Sequence, residues 1–434
     1  MTELEQHIQR TPLMDTHEHT EQEDIYVNDG PDVLRDLFDN YTQIDLIVAD
    51  ATPEAVQRLL DSHDPDVAAR WTGVSQAWQY CQNTGYGQAT RLIARQAYGI
   101  DKITLSTIEA ASTRNKELRQ PGERLRILKE VGNLDHVQID NGIWACYPDP
   151  TGLDFFLYDL QWAFLSSGMI DLDALQKETG IGITDIRTMR MALEALFSMY
   201  GTIAIAVKSQ YAYNRTLLWH ERSDAEAEHV LSKLLKGQEI GIEDKLCIGD
   251  WCLSRGVELA IEYDLPFKIH TGILFGHNLM YTDHISSGHL CGLLQRYPKA
   301  RFVLMHIAYP YYHELVVMAK HFPNVYLDMC WSWSIDPYGA TDFLRHVIHA
   351  IPSNKLFVFG GDTHWPNQSV AYATQARSWL TRALQAEIDD GLITESEAIN
   401  LASLIMRRNQ ETCFNLEEKR TAIRKAYEEQ RSAH

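Results

Sequence analysis

The sequence has no Cys-x-x-Cys pair, and its seven cysteines, at 81, 146, 247, 252, 291, 330 and 413, are odd in number and scattered. That pattern suggests neither a cysteine zinc site nor a disulfide framework, so the thiols are read as reduced, buried small hydrophobes. Positive charge is scarce as well: 39 Lys and Arg stand against 59 Asp and Glu, a formal charge of -20. Such a chain repels the phosphates of nucleic acid and of anionic membrane surfaces, so neither is an expected partner. No apolar run approaches the roughly eighteen residues of a membrane-spanning helix. The polar stretch Met1 to Thr11 lacks the apolar segment of a signal peptide, and a cytoplasmic location is expected. Internal repeats and low-complexity tracts are absent too.

What is present is an ordinary globular composition, 45% hydrophobic and 23% charged over 434 residues, long enough for one large barrel with insertions. The expectation is a single domain, 1–434. Short apolar runs suited to buried parallel strands fall at 12–19, 136–141, 202–210, 266–271, 301–307, 324–329 and 355–361. In the second half each is followed by a helical pattern, and this alternation predicts an α/β fold, a (β/α)8 TIM barrel. One strand of the eight is not evident. Between about 30 and 130 the text turns helical and rich in charge and aromatics, more chain than a βα unit needs. It is read as a helical insertion after the first strand, either a cap carrying part of a substrate pocket or a packing subdomain. A polar helical excursion is expected at 220–244 after the fourth strand, and an amphipathic outer helix over 395–416.

The chemistry begins at Asp15-Thr16-His17-Glu18-His19. Alternate residues of a strand face the same side, so His17 and His19 can grip one cation at the strand's C-terminal end. Three further apolar strands also end in a ligand type: Phe267-Lys268-Ile269-His270, Val303-Leu304-Met305-His306 and Phe357 through Gly361-Asp362. One strand-end histidine is usually structural, but a set in one register matches the converging strand ends of a barrel's active face. Ile203 through Val207 delivers Lys208 to another strand end. That lysine could pair with a substrate carboxylate, balance Asp362, or carry a carbamate bridging two metals.

Taken in order, His17-x-His19, Lys208, His270, His306 and Asp362 resemble the ligand series of the amidohydrolase superfamily. The surrounding text, Ile269-His270-Thr271-Gly272, Leu304-Met305-His306 with Tyr309-Pro310-Tyr311, and Gly361-Asp362, is similar to the amidohydrolase-related branch that includes the N-terminal domains of FluG-type proteins. The resemblance implies one or two divalent ions per chain, zinc first among them. His17 and His19 would hold the more buried ion, His270 and His306 a second, and Asp362 would touch the metal and handle a proton. In one-metal relatives His306 is instead an acid or base.

The implied activity is hydrolysis, with activated water attacking an amide, lactone or ester carbon of a small substrate bearing a carboxylate. The alternatives are a non-hydrolytic decarboxylase or lyase, a uronate-isomerase-like enzyme, and a non-catalytic binding barrel. Substrate contacts are expected from Tyr211, Tyr213 and Arg215 on the loop after the fourth strand and from His277 on the next loop. Trp331, with Trp333 and Trp365, would form an aromatic wall. A guanidinium there suggests an anionic substrate group, although an arginine bridging two loops through a carboxylate reads equally well. A homo-oligomer is the expectation from base rates.

Overall fold

The computed structural model describes residues 2–276 and 280–432. Its centre is a ring of parallel strands: β1 (Leu13–Glu18), β2 (Leu134–Ile139), β3 in two pieces (Phe156–Tyr158 and Leu160–Gln161), β4 (Val207–Ser209), β5 (Phe267–Ile269), β6 (Phe302–Leu304), β7 (Val325–Asp328) and β8 (Leu356–Phe357). The piece of β3 before Asp159 pairs with β2, and the piece after it pairs with β4. This is the strand the sequence hides. Its apolar run is broken at Asp159, whose side chain turns into the barrel.

The ring closes between its first and last strands. Thr16 N donates to Phe359 O, Asp362 N to His17 O and His19 N to Thr363 O, at 3.2, 2.8 and 2.9 Å. The result is the (β/α)8 barrel expected from the alternation, with strands buried on both faces as parallel strands require.

Outer helices start where the sequence supplies caps. Asp185 with Thr188 opens Ile186–Tyr200, Ser223 with Glu226 opens Asp224–Leu235, and Thr394 with Glu397 opens Glu395–Ser403. The helical text expected over 220–244 therefore divides between Asp224–Leu235 and the start of the long helix Ile242–Glu262.

Between β1 and β2 lies a succession of short helices running from Glu23–Asp29 to Glu123–Arg126. They bury their own apolar cluster, including Leu37, Phe38, Trp71, Trp78 and Ile93. Gly85–Tyr98 packs on the outer helix Pro366–Asp389, and residues 39–43 reach over the barrel mouth.

Candidate active site

A cleft of about 590 Å³ opens at the C-terminal ends of the strands, with His17, His19, Lys208, His270 and Asp362 on its walls. β1 ends by presenting His17 and His19, their ring centroids 4.7 Å apart. Asp362 follows β8 with φ 57°, a left-handed turn shared by His306 (φ 62°) after β6 and Trp331 (φ 64°) after β7. Non-glycine residues held there each cost on the order of 1 kcal/mol, and such strain gathers at functional sites. Gly361 is required by close approach, since a Cβ there would meet the Glu18 carboxylate at 2.0 Å.

Asp362 is the hub. Its Oδ1 lies 3.4 Å from His17 Nε2 and 3.2 Å from His19 Nε2, and its Oδ2 lies 3.8 Å from His306 Nε2. Lys208 Nζ stands 3.4 Å from His17 Nε2. Burial opposes charge on Asp362, but the neighbouring imidazoles of His17 and His19 outweigh it and hold the carboxyl well below the usual range. Burial, with the Lys208 charge, pushes His17 well below its ordinary value. Burial also takes His306 down to about 3 against the pull of Asp362, and takes His270 well down.

The hydrogen bonds test whether a cation fits. His19 Nδ1 is 2.8 Å from the Asp140 carbonyl, which can only accept, so Nδ1 carries the proton and Nε2 presents a lone pair. Two acceptors, His19 Nε2 and Asp362 Oδ1, then face each other at 3.2 Å and need a positive centre between them. A proton serves in the bare protein: burial works against it, but the Asp362 hydrogen bond and charge raise the His19 pKa overall. A divalent ion fits the same gap, and the ligand atoms of His17, His19 and Asp362 converge to within 4.8 Å of one another. His306 is alike, with Nδ1 3.1 Å from the Cys330 carbonyl and a buried, unpartnered Nε2.

Cys330 joins His306 and Asp362 in a second convergent group. Burial and the charge of Asp362 raise its thiol well above the ordinary value, which keeps it a poor ligand. His270 belongs to neither convergent group among the described residues. Its Nε2 lies 2.9 Å from the Ile273 carbonyl, and its ring sits 4.3 Å from that of His306.

The substrate residues expected from sequence divide. Tyr213 lines the cleft, edge-on to His270 at 5.0 Å, and its hydroxyl accepts from Phe275 N at 2.9 Å. Arg215 is withdrawn from it: the guanidinium is buried, 2.8 Å from Asp250 Oδ1 and stacked over Tyr211. Tyr211 is buried too, donating to the Leu217 carbonyl at 2.9 Å. Neither is free for a ligand. The bridging reading of the arginine is the one found, because a buried guanidinium needs its carboxylate.

Trp331 stands behind the cleft, edge-on to His306 and tilted against Tyr41 with centroids 3.9 Å apart. Trp333 and Trp365 spend their indole N–H groups on Val358 O and Asp39 Oδ2. His277 lies outside the described residues.

Sequence reasoning missed Asn40, Tyr41 and Gln43 of the insertion and Gln161 of β3, all on the cleft wall. Tyr41 faces Asp362, and burial together with that charge raises its phenol well above the usual value. His364 also lines the cleft, stacked on His19 at 5.5 Å.

Barrel, strand-end histidines and strand-end aspartate together form a site of the kind that can hold a metal ion. Residues 217–394 match the family model described as amidohydrolase. Protein fluG of Emericella nidulans is 28% identical over 184 residues, 41% of this chain; the chain spans only about a fifth of that relative, 21%. The sequence resemblance to the amidohydrolase-related family therefore stands.

Solved barrels agree in fold over nearly the whole chain. Uronate isomerase from Thermotoga maritima has a TM-score of 0.73 at 12% identity, covering 95% of this chain and 96% of that one. Glucuronate isomerase from Caulobacter crescentus has a TM-score of 0.75 at 16% identity, covering 95% and 93%. A candidate metal-dependent hydrolase from Lactobacillus casei has 0.66 at 17%, covering 96% and 99%. No helix among the described residues is long and apolar enough to cross a membrane.

Proposed function

We propose that the chain is a metal-dependent enzyme that hydrolyses a carbonyl-type bond, an amide, lactone or ester, in a small polar substrate bearing a carboxylate. The observation that carries this reading is the Asp362 carboxylate, held ionised between His17, His19 and His306 on the wall of the cleft. His17, His19 and Asp362 would hold the ion, with His306 as the next donor; zinc suits two imidazoles and a carboxylate. When bound, the ion supplies a Lewis acid for the substrate oxygen and brings water near a neutral pKa.

The chain's own residues do the rest. Asp362 Oδ2, turned away from His17 and His19, accepts a proton from the attacking water and returns it to the leaving group. His306, neutral through burial, presents the lone pair of Nε2 on the Oδ2 side of the site, where it would serve the ion. Lys208, the cation on the cleft wall, receives the substrate carboxylate. Tyr41 and Phe275, 5.3 Å apart, narrow the entrance against water.

The amide-rich lining, Asn40, Gln43, Gln161, Gln210 and Asn214, favours a second reading, isomerisation of a uronate-like sugar acid, because amides pair well with hydroxyl groups. It is the activity of two barrels that this chain resembles in fold.

The test is a substrate screen of amides, lactones and uronates with metal-loaded protein and with Asp362→Asn. Turnover of an amide or lactone that falls about 100-fold or more in the variant supports hydrolysis. Turnover of uronates alone moves the assignment to the isomerase, and retained turnover in Asp362→Asn removes the proton-handling role. A chain that binds no metal and turns over nothing overturns both readings.

A further inference from the structure

Beside the metal-site cleft, behind His19, lies a separate recess of about 370 Å³; His19, Gly142, Gln210 and His364 line both spaces. Its most telling residue is Asp140, which follows β2. The side chain is 1% exposed. Oδ1 accepts from Gly142 N at 3.0 Å, while Oδ2 is buried with no partner. An unpaired buried carboxylate oxygen is costly and native structures rarely keep one without use. The side-chain Oε1 of Gln210 is likewise buried without a partner.

The rest of the lining says which ligand would satisfy these oxygens. Glu21 adds a second carboxylate, and no Lys or Arg lines the recess among the described residues. A carboxylate or phosphate is therefore repelled. Tyr147 and Tyr158 contribute aromatic rings 4.3 Å apart, whose faces attract cations. Ile25 and Ile143 offer apolar surface for an alkyl stem. Across His19, the cleft holds Lys208 beside Asp362, so the recess is the more uniformly acidic of the two spaces. Asp140 joins the two, since its carbonyl also fixes His19 Nδ1 at 2.8 Å.

We propose that this recess is a second substrate subsite for a primary ammonium or guanidinium group, borne by the same molecule whose carbonyl end meets His17, His19 and Asp362. The substrate class is then bipolar: an amino- or guanidino-bearing carbonyl compound, seated with its cation on Asp140 and its reacting end on the metal side. The location of the reacting end rests on the proposed function; the cation preference of the recess does not.

The experiment is a ligand-observed NMR titration of propylammonium and guanidinium, with propionate and 1-propanol as controls, on wild type and Asp140→Asn. Asparagine keeps an acceptor for Gly142 N and removes the charge. The expected result is binding of both cations to wild type, about tenfold weaker in Asp140→Asn, with metal content and melting temperature unchanged and propionate excluded. Equal affinity in the two proteins, or no cation binding to wild type, overturns the proposal. Should Asp140→Asn fail to fold, Glu21→Gln on the rim serves instead, with a loss of about threefold expected and unchanged affinity counting against the subsite. Wild type separates the two readings: cation binding by a wild-type protein that holds no metal and turns over nothing upholds the subsite while the hydrolase reading falls.

Discussion

Nδ1 of His17 lies 4.0 Å from Oδ2 of Asp159, the residue that breaks β3, and Lys268 grips both oxygens of Asp159 at 2.8 Å while donating to the Thr16 carbonyl at 2.7 Å. At 4.0 Å His17 and Asp159 make no hydrogen bond, and His17 Nδ1 is buried without a partner; the charge of Asp159 still favours the proton on that nitrogen, which would leave the far one to a metal. Burial pushes Asp159 up to about 6 against the opposing charge of Lys268. Removing one partner alone, Asp159→Leu, strands a buried ammonium and is expected to cost about 3–5 kcal/mol in urea unfolding. The pair Asp159→Leu with Lys268→Met recovers most of that stability, yet its metal affinity falls about 10- to 100-fold. A double variant with unimpaired metal affinity would refute that role of Asp159.

Arg215→Met separates binding from structure. Because the guanidinium is spent on Asp250, which then keeps Arg222 and the His220 N–H, each at 3.3 Å, the loss appears in stability, about 3–5 kcal/mol by denaturant titration. The KM of the folded variant stays within about threefold of wild type. A large KM rise without destabilisation would return Arg215 to the substrate.

Asp328 sets a pH dependence. Its buried carboxyl is pushed up to about 7, burial being the main cause, while the unfolded value stays near 3.8. The folded state thus holds the proton more tightly, and this contribution to stability is complete below about pH 4 and is lost as pH rises through 7. Each unit of that window is worth up to about 1.4 kcal/mol. Asp328→Asn keeps the acceptor for Cys330 N, found at 2.8 Å, and should flatten the unfolding free energy between pH 4 and 7. An unchanged slope would show that Asp328 titrates normally.

Metal binding reads out as stability. Chelator-treated protein is expected to melt lower than protein with zinc at about 1,000 times its Kd, a difference of about 4 kcal/mol, and readdition restores it. Bicarbonate distinguishes the state of Lys208. A rise from one ion per chain to two, absent in Lys208→Arg, marks a carbamate, and a constant single ion excludes it.

The sequence made the strand ends legible because ligand residues closing apolar runs are a local pattern, and His17, His19, His270, His306 and Asp362 all emerged that way. β3 was not legible, since Asp159 splits an already short run and its meaning depends on Lys268, 109 residues away. Nor could Asn40, Tyr41 and Gln43 be placed. Asn40 and Tyr41 link the short helices Val33–Phe38 and Thr42–Val48, Gln43 lies in the second, and the insertion packs on the barrel through Gly85–Tyr98 against Pro366–Asp389. Arg215 did carry a usable signal, because Asp250 sits on the apolar face of Ile242–Glu262 and an acid there calls for a cation.

The closing hydrogen bonds between β1 and β8 put the candidate metal-holding residues on either side of the barrel's seam, His17 and His19 on β1 and Asp362 after β8. No partial ring assembled from either half alone contains the site. An ion bound there would be held tightly only by chains whose first and last strands have met, and would withdraw those chains from the pool still able to open. Metal supply would then bear on how many barrels stay closed.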